Sequence, residues 1–163
     1  MDEESAEMRQ LLSIFPLLWH ARRPNRTADM TARACPFWVR KGYEAVTFFG
    51  TILTHTVEEA DMLNRQYDAL KHHEMIHLYQ ARSTGNSWLL FYLRYGWYYL
   101  QASRYWRRLR NAGYHLNPFE MEAYAHMYDL HYLEANGNKA EGWRQYARMT
   151  LKERMETYLR HYQ

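Results

Sequence analysis

The chain has 163 residues, with one cysteine (Cys35), seven glycines and four prolines. That is the length of a single domain, 1–163, and the composition excludes a disulfide framework, a Cys-rich metal module and a collagenous or linker-rich chain. Net charge is only +3, too small for a strongly basic nucleic-acid binder, while 17% aromatic residues imply a core rich in amphipathic rings.

Taken in chain order, Asp2-Glu3-Glu4 is acidic where a secretory leader carries positive charge. The apolar runs Leu11–Trp19 and Trp88–Tyr99 are shorter than the roughly 20 residues a spanning helix needs. A cytoplasmic chain without a transmembrane segment is therefore expected. Residues 3–13 suit a short helix that Pro16 ends. Arg22 to Arg33 is polar, with Pro24 and Asn25 as turn residues, so residues 1–33 read as a partly irregular N-terminal extension.

Between Pro36 and Thr56 the β-branched and aromatic residues concentrate, punctuated by Gly42 and Gly50. This predicts two or three antiparallel strands. From Glu58 to Arg82 there is no Gly or Pro, and Met62, Ala69, Leu70, His73, Ile76, His77 and Gln80 recur at helical spacing, so one long helix is expected. Ser87 caps a second helix reaching about Arg110, which is aromatic on most sides. Asn117, Pro118 and Glu120 form a strong helix start, with an N-cap, a first-position proline and an acid in the first turn. That helix is expected to reach Asn136-Gly137-Asn138, and a last one to span about Ala140–His161. The fold class is α+β, helix-dominated: a small antiparallel sheet followed by about four helices.

Chemistry concentrates in His73-Glu74-Met75-Ile76-His77, an H-E-x-x-H pattern. A shuffled chain of this composition would contain it about 0.04 times. Residues i and i+4 share one helix face, so both imidazoles can reach one metal ion. Glu74 then stands beside the metal without ligating it, placed to take a proton from water. Extension to a third histidine fails, because the required glycine and histidine positions hold Gln80 and Ser83. A later helix offers two glutamates instead, Glu120 and Glu122, and the spacing leaves both open. Glu120 can alternatively serve as a capping-box acid for Asn117. His115, His126 and His131 are isolated nitrogen candidates, and His72 lies about 100° round the helix from His73.

With Glu120-x-x-Ala123 following 43 residues after His77, the set His73, Glu74, His77, Glu120 resembles the gluzincin branch of zinc metallopeptidases. The resemblance implies a zincin-like fold, Zn2+ held by His73, His77 and Glu120, and Glu74 as the catalytic base, with Ala123 letting two helices approach. Glu122, which also starts a Glu-x-x-Ala pattern with Ala125, is the alternative third ligand. The Asp that orients a ligating histidine in that family is Tyr124 here. The chain also resembles a set of small bacterial proteins with an H-E-x-x-H helix, an aromatic second helix and an Asn-Pro-Phe-Glu-x-Glu-Ala-Tyr segment, over most of residues 36–135; that likeness brings no established activity.

The expected function is hydrolysis of a peptide or protein substrate. The alternative is a non-catalytic interaction protein on the same scaffold, with or without zinc. Family precedent further implies an edge strand pairing with the substrate backbone, for which Phe48-Phe49-Gly50-Thr51 is the candidate. The stretch Arg82 to Phe119 holds six arginines and no acid, which suits the solvated end of a core helix, a membrane surface or a partner; nucleic acid is not expected. Oligomeric state is open.

Overall fold

A computed structural model describes residues 31–39 and 45–162. The expected N-terminal helix at residues 3–13, and most of the polar stretch after it, lie outside the described residues. Three strands, β1 (Ala32–Ala34), β2 (Ala45–Phe48) and β3 (Thr51–Thr54), form one sheet in the order β1-β3-β2. Eight helices follow among the described residues: α1 (Val57–Arg65), α2 (Ala69–Ser83), α3 (Trp88–Ser103), α4 (Ala112–His115), α5 (Pro118–His126), α6 (Tyr132–Ala135), α7 (Trp143–Arg148) and α8 (Leu151–Tyr162).

The sheet corrects the antiparallel expectation. β2 and β3 are an antiparallel hairpin, with Phe48 opposite Thr51, but β1 runs parallel to β3. The chain leaves β1 on one edge and enters β2 on the other, so β3 returns between them in the direction of β1. β1 also lies before Pro36 and begins inside the stretch, ending at Arg33, that was expected to be irregular. Asn64 of α1 holds it in place, accepting from Ala32 N at 2.8 Å and donating to Ala32 O at 3.0 Å.

The β2–β3 connection is the two-residue turn Phe49-Gly50, with φ of 47° and 85°. Both residues are left-handed, as a hairpin turn of the primed type requires. For Phe49 this is a strained position, held by Tyr92: its hydroxyl accepts from Phe49 N at 3.1 Å and donates to Thr47 O at 3.0 Å.

Four long helices were expected, and each breaks or stops early, the first and last where a capping side chain starts a new helix. The first divides at Gln66–Asp68, where Asp68 accepts from Lys71 N at 2.8 Å and starts α2 afresh. Met62, expected on the motif's face, consequently belongs to α1 and is exposed. The second helix ends at Ser103, seven residues before Arg110. The third ends at His126, leaving α6 as a separate turn. The last divides before Thr150, whose hydroxyl accepts from Glu153 N while Glu153 Oε2 accepts from Thr150 N, a capping box.

α2 is the centre of the molecule. Every residue from Lys71 to Ala81 is buried, because β2, α3 and α5 all pack on it. Ile76, Leu78, Trp88 and Phe119 are fully buried there, and the Phe119 ring contacts Phe91, Tyr95, Tyr98 and Trp143. Removing an aromatic side chain from such a position costs about 3–5 kcal/mol. No helix of the described residues is long and apolar enough to cross a membrane.

Candidate metal centre

His73 and His77 lie one turn apart on α2 and direct their Nε2 atoms toward each other, 3.2 Å apart. From α5, Glu120 places Oε2 3.4 Å from His73 Nε2 and Oε1 3.5 Å from His77 Nε2. These three are the only group among the described residues whose side chains converge as a set of metal ligands. All three are buried.

The triangle has the dimensions of a metal site. Ligands about 2.0–2.1 Å from a tetrahedral ion stand about 3.3 Å from one another, and the observed separations bracket that value. The polar inventory agrees. Glu120 Oε2 is buried and has no hydrogen-bond partner, a situation that costs about 1–3 kcal/mol or more for a charged group unless something occupies it. The residues therefore fit a divalent cation, and this buried group can hold one.

Helix geometry explains why Glu120 and not Glu122 reaches the site. Two residues along a helix turn the side chain by about 200°, so only one of the pair can face α2's histidines. Asn117 starts α5, accepting from Phe119 N at 3.2 Å, and donates to Tyr95 O at 3.2 Å, which ties the helix start to α3. Glu120 makes no reciprocal cap; its Oε1 accepts from the Tyr95 hydroxyl at 2.8 Å. Glu122, fully buried on the opposite side, is committed to other donors: Gln80 Nε2 at 2.7 Å, Tyr132 Oη at 2.6 Å and Gly142 N at 2.7 Å.

Those donors give Glu122 an indirect part in the site. Gln80 Nε2 also donates to Phe119 O at 2.9 Å, so the amide's orientation is fixed and its oxygen faces His77 Nδ1 at 2.8 Å. His77 Nδ1 thus carries a proton whether the ring is neutral or charged, and Nε2 is the nitrogen that faces the ligand cluster. Support of this kind orients a metal-binding histidine and raises its basicity. His73 is treated differently: its Nδ1 is buried without a partner among the described residues. Tyr124, at the position of the expected Asp, packs edge-on against the His73 ring at 4.6 Å and sets its hydroxyl 3.0 Å from that of Tyr114.

Charge is shared between His77 and Glu120. Burial disfavours the imidazolium, but the Glu120 carboxylate, its hydrogen bond, and then Glu74, outweigh burial and push His77 up to about 9. Burial pushes Glu120 up, and the His77 charge, with both imidazoles close against the carboxylate, reverses this, holding the carboxyl well below its usual range. The metal-free pair is imidazolium and carboxylate, and a metal ion displaces the proton. Burial first, and then the Glu120 charge, keep the Tyr95 and Tyr114 phenols protonated at neutral pH. They remain hydrogen-bond donors.

Glu74 projects into the same space, and its Oε2 accepts a hydrogen bond from the Thr47 hydroxyl of β2. A cavity of about 260 Å³ lies over this group. Its walls are Ala45, Val46 and Thr47 of β2, and Phe91, Tyr92 and Tyr95 of α3, with Tyr114 beside Glu120. The edge strand at the cavity is thus Ala45–Phe48, three residues earlier than the Phe48–Thr51 candidate, whose middle two residues form the turn.

His72 faces away, with Nδ1 2.7 Å from the Tyr67 hydroxyl. His115 lines a separate small cavity with Tyr158, His126 stacks on Tyr132, and His131 is exposed beside Glu134; none belongs to the converging group. Gln80, Thr47 and Tyr95 are supporting residues the sequence reading did not assign. Only Gln80 carried a signal, its place three residues after His77 on the same buried face. Comparison with protein-family models, with curated proteins and with solved structures finds no match to this chain.

Proposed function

We propose that the protein is a small zinc-dependent peptidase of zincin-like, gluzincin type. What carries the reading is the buried triangle of His73, His77 and Glu120 with the Glu74 carboxylate beside it on the floor of a cavity. His73, His77 and Glu120 would hold the ion. Two nitrogens and one carboxylate oxygen are the donor set of catalytic zinc sites, which keep one position open. A zinc ion held there supplies Lewis-acid chemistry, polarising a carbonyl and acidifying water.

The chain's own groups supply the rest. Thr47 holds Glu74 Oε2, leaving the carboxylate oriented to take a proton from the attacking water and pass it to the departing amine. Tyr95 steadies Glu120, and Gln80 steadies His77. β2 is an edge strand that forms one cavity wall, which suits an extended peptide lying alongside it.

The test has two stages. Tag-free protein is assayed for bound metal by elemental mass spectrometry, with His73→Ala and Glu120→Ala as controls. Hydrolysis of a quenched-fluorescence peptide library is then compared between wild type and Glu74→Gln. Near-stoichiometric zinc lost in both controls, with cleavage lost in Glu74→Gln while zinc is retained, is the expected result. Absence of metal after zinc is supplied would overturn the reading. Bound zinc with no cleavage would favour the non-catalytic alternative, which Tyr124's failure to orient His73 also supports.

A further inference from the structure

The outer face of α3 is apolar and, among the described residues, uncovered. Leu89, Leu93, Trp97 and Leu100 are 64, 62, 60 and 68% exposed, and Leu90 is also exposed. At 100° per residue the first four fall within an arc of about 80°, forming a stripe about 16 Å long. Trp106, 65% exposed, continues it past the helix end. Scattered exposed leucines are ordinary, whereas a contiguous stripe of this kind marks an interaction surface.

Charge identifies the occupant. Arg104 falls inside the same arc, Arg94 flanks it, and Arg107, Arg108 and Arg110 follow; all five are exposed. Among the described residues none of the five is ion-paired, and no acid occurs between Arg82 and Phe119. Leucine and tryptophan on the contact face with arginines at its border are the requirements of a helix lying in the headgroup layer of an anionic bilayer. A second copy of the chain is a poor match, because the same face on the partner offers no acid to meet these arginines.

We infer that the outer face of α3, from Leu89 to Trp106, docks this protein in the plane of an anionic lipid surface. The same helix lines the cavity with Phe91, Tyr92 and Tyr95 on its inner face. Docking therefore holds that cavity wall about one helix diameter, 10–12 Å, from the headgroups. The inference does not depend on the metal or on peptidase activity.

The experiment is co-sedimentation of the full chain with vesicles of phosphatidylcholine alone and of phosphatidylcholine with phosphatidylserine, at low and high salt. Leu93→Ser/Trp97→Ser and Arg104→Ala/Arg107→Ala/Arg108→Ala are compared with wild type, their folding checked by circular dichroism melting. Wild type binds the anionic vesicles, the arginine variant partitions about 100-fold more weakly, and the Leu93/Trp97 variant loses binding even at low salt. No binding of wild type to anionic vesicles overturns the inference. Binding that survives the Leu93/Trp97 change also overturns it, since it would then be attraction to any polyanion. Self-association that the Leu93/Trp97 variant abolishes, without vesicle binding, assigns the face to a second copy instead.

Discussion

Gln80 and Glu122 meet inside the core, the Gln80 amide donating to Glu122 Oε2 at 2.7 Å, and this bond stands directly behind His77. The amide oxygen accepts a hydrogen bond from His77 Nδ1, so a carboxylate two side chains away fixes which ring nitrogen faces the converging group. An Asp after the third ligand would have had a direct route to a histidine. Here Tyr124 occupies that place, and support reaches His77 through the helix that carries it.

Replacing Gln80 by Met keeps the volume and removes all three of the amide's hydrogen bonds, to His77, Glu122 and the Phe119 carbonyl. Loss of such a partner lowers metal affinity about 10–100-fold, read by competition with a calibrated chelator. Unchanged affinity would show that His77 is held by packing alone.

Gly142 reads the seat of Glu122. Its φ of −60° is ordinary helical backbone, where Gly→Ala normally stabilises by about 0.4–1 kcal/mol. A Cβ there would instead lie 2.9 Å from Glu122 Oε1 and 3.0 Å from Tyr132 Oη. Crowding should win, and Gly142→Ala should destabilise by about 1–3 kcal/mol in denaturant titration. A gain in stability would mean that the carboxylate moves freely.

Thr47→Val removes the hydroxyl that holds Glu74 while keeping its shape. A hydrogen bond to a charged group contributes about 1.5–3 kcal/mol, so peptide hydrolysis should fall about ten-fold or more with zinc content unchanged. Zinc loss in this variant, or full activity, would each contradict the placement of Glu74.

In the metal-free protein, His77 rises from 6.5 to about 9 on folding. A raised imidazole stabilises the fold fully below pH 6.5, and that contribution disappears as pH rises through about 9. Glu120 is lowered from 4.5, so its contribution is present above that value and is lost as pH falls below it. Thermal unfolding of chelator-treated protein should therefore show declining stability between about pH 6.5 and about pH 9. Zinc affinity should rise over the same window, because the ion displaces the His77 proton. Flat profiles for both would exclude the His77–Glu120 pair.

The part of the candidate site that was legible, His73 and His77, is local. Two histidines four residues apart share a helix face whatever surrounds them, and the Asn117-Pro118 start places Glu120 in the first turn of α5 by backbone geometry alone. Helix ends were less legible. Asp68 and Thr150 cap new helices with neither Gly nor Pro at the break, and hydrogen bonds between residues three apart do not appear in apolar periodicity.

From the order of residues alone, this protein is a helix-rich α+β chain with two histidines and an intervening acid poised on one helix. Tertiary structure decided the rest. Glu120 rather than Glu122 completes the triangle because α5 turns Glu120 toward the two histidines, while Glu122, about 200° round that helix, is claimed by Gln80 farther along α2 and by Tyr132 and Gly142. β1 is parallel because the chain crosses the sheet before the hairpin. The leucines of α3 stay exposed because no described element packs over them, and burial depends on what arrives from elsewhere in the chain.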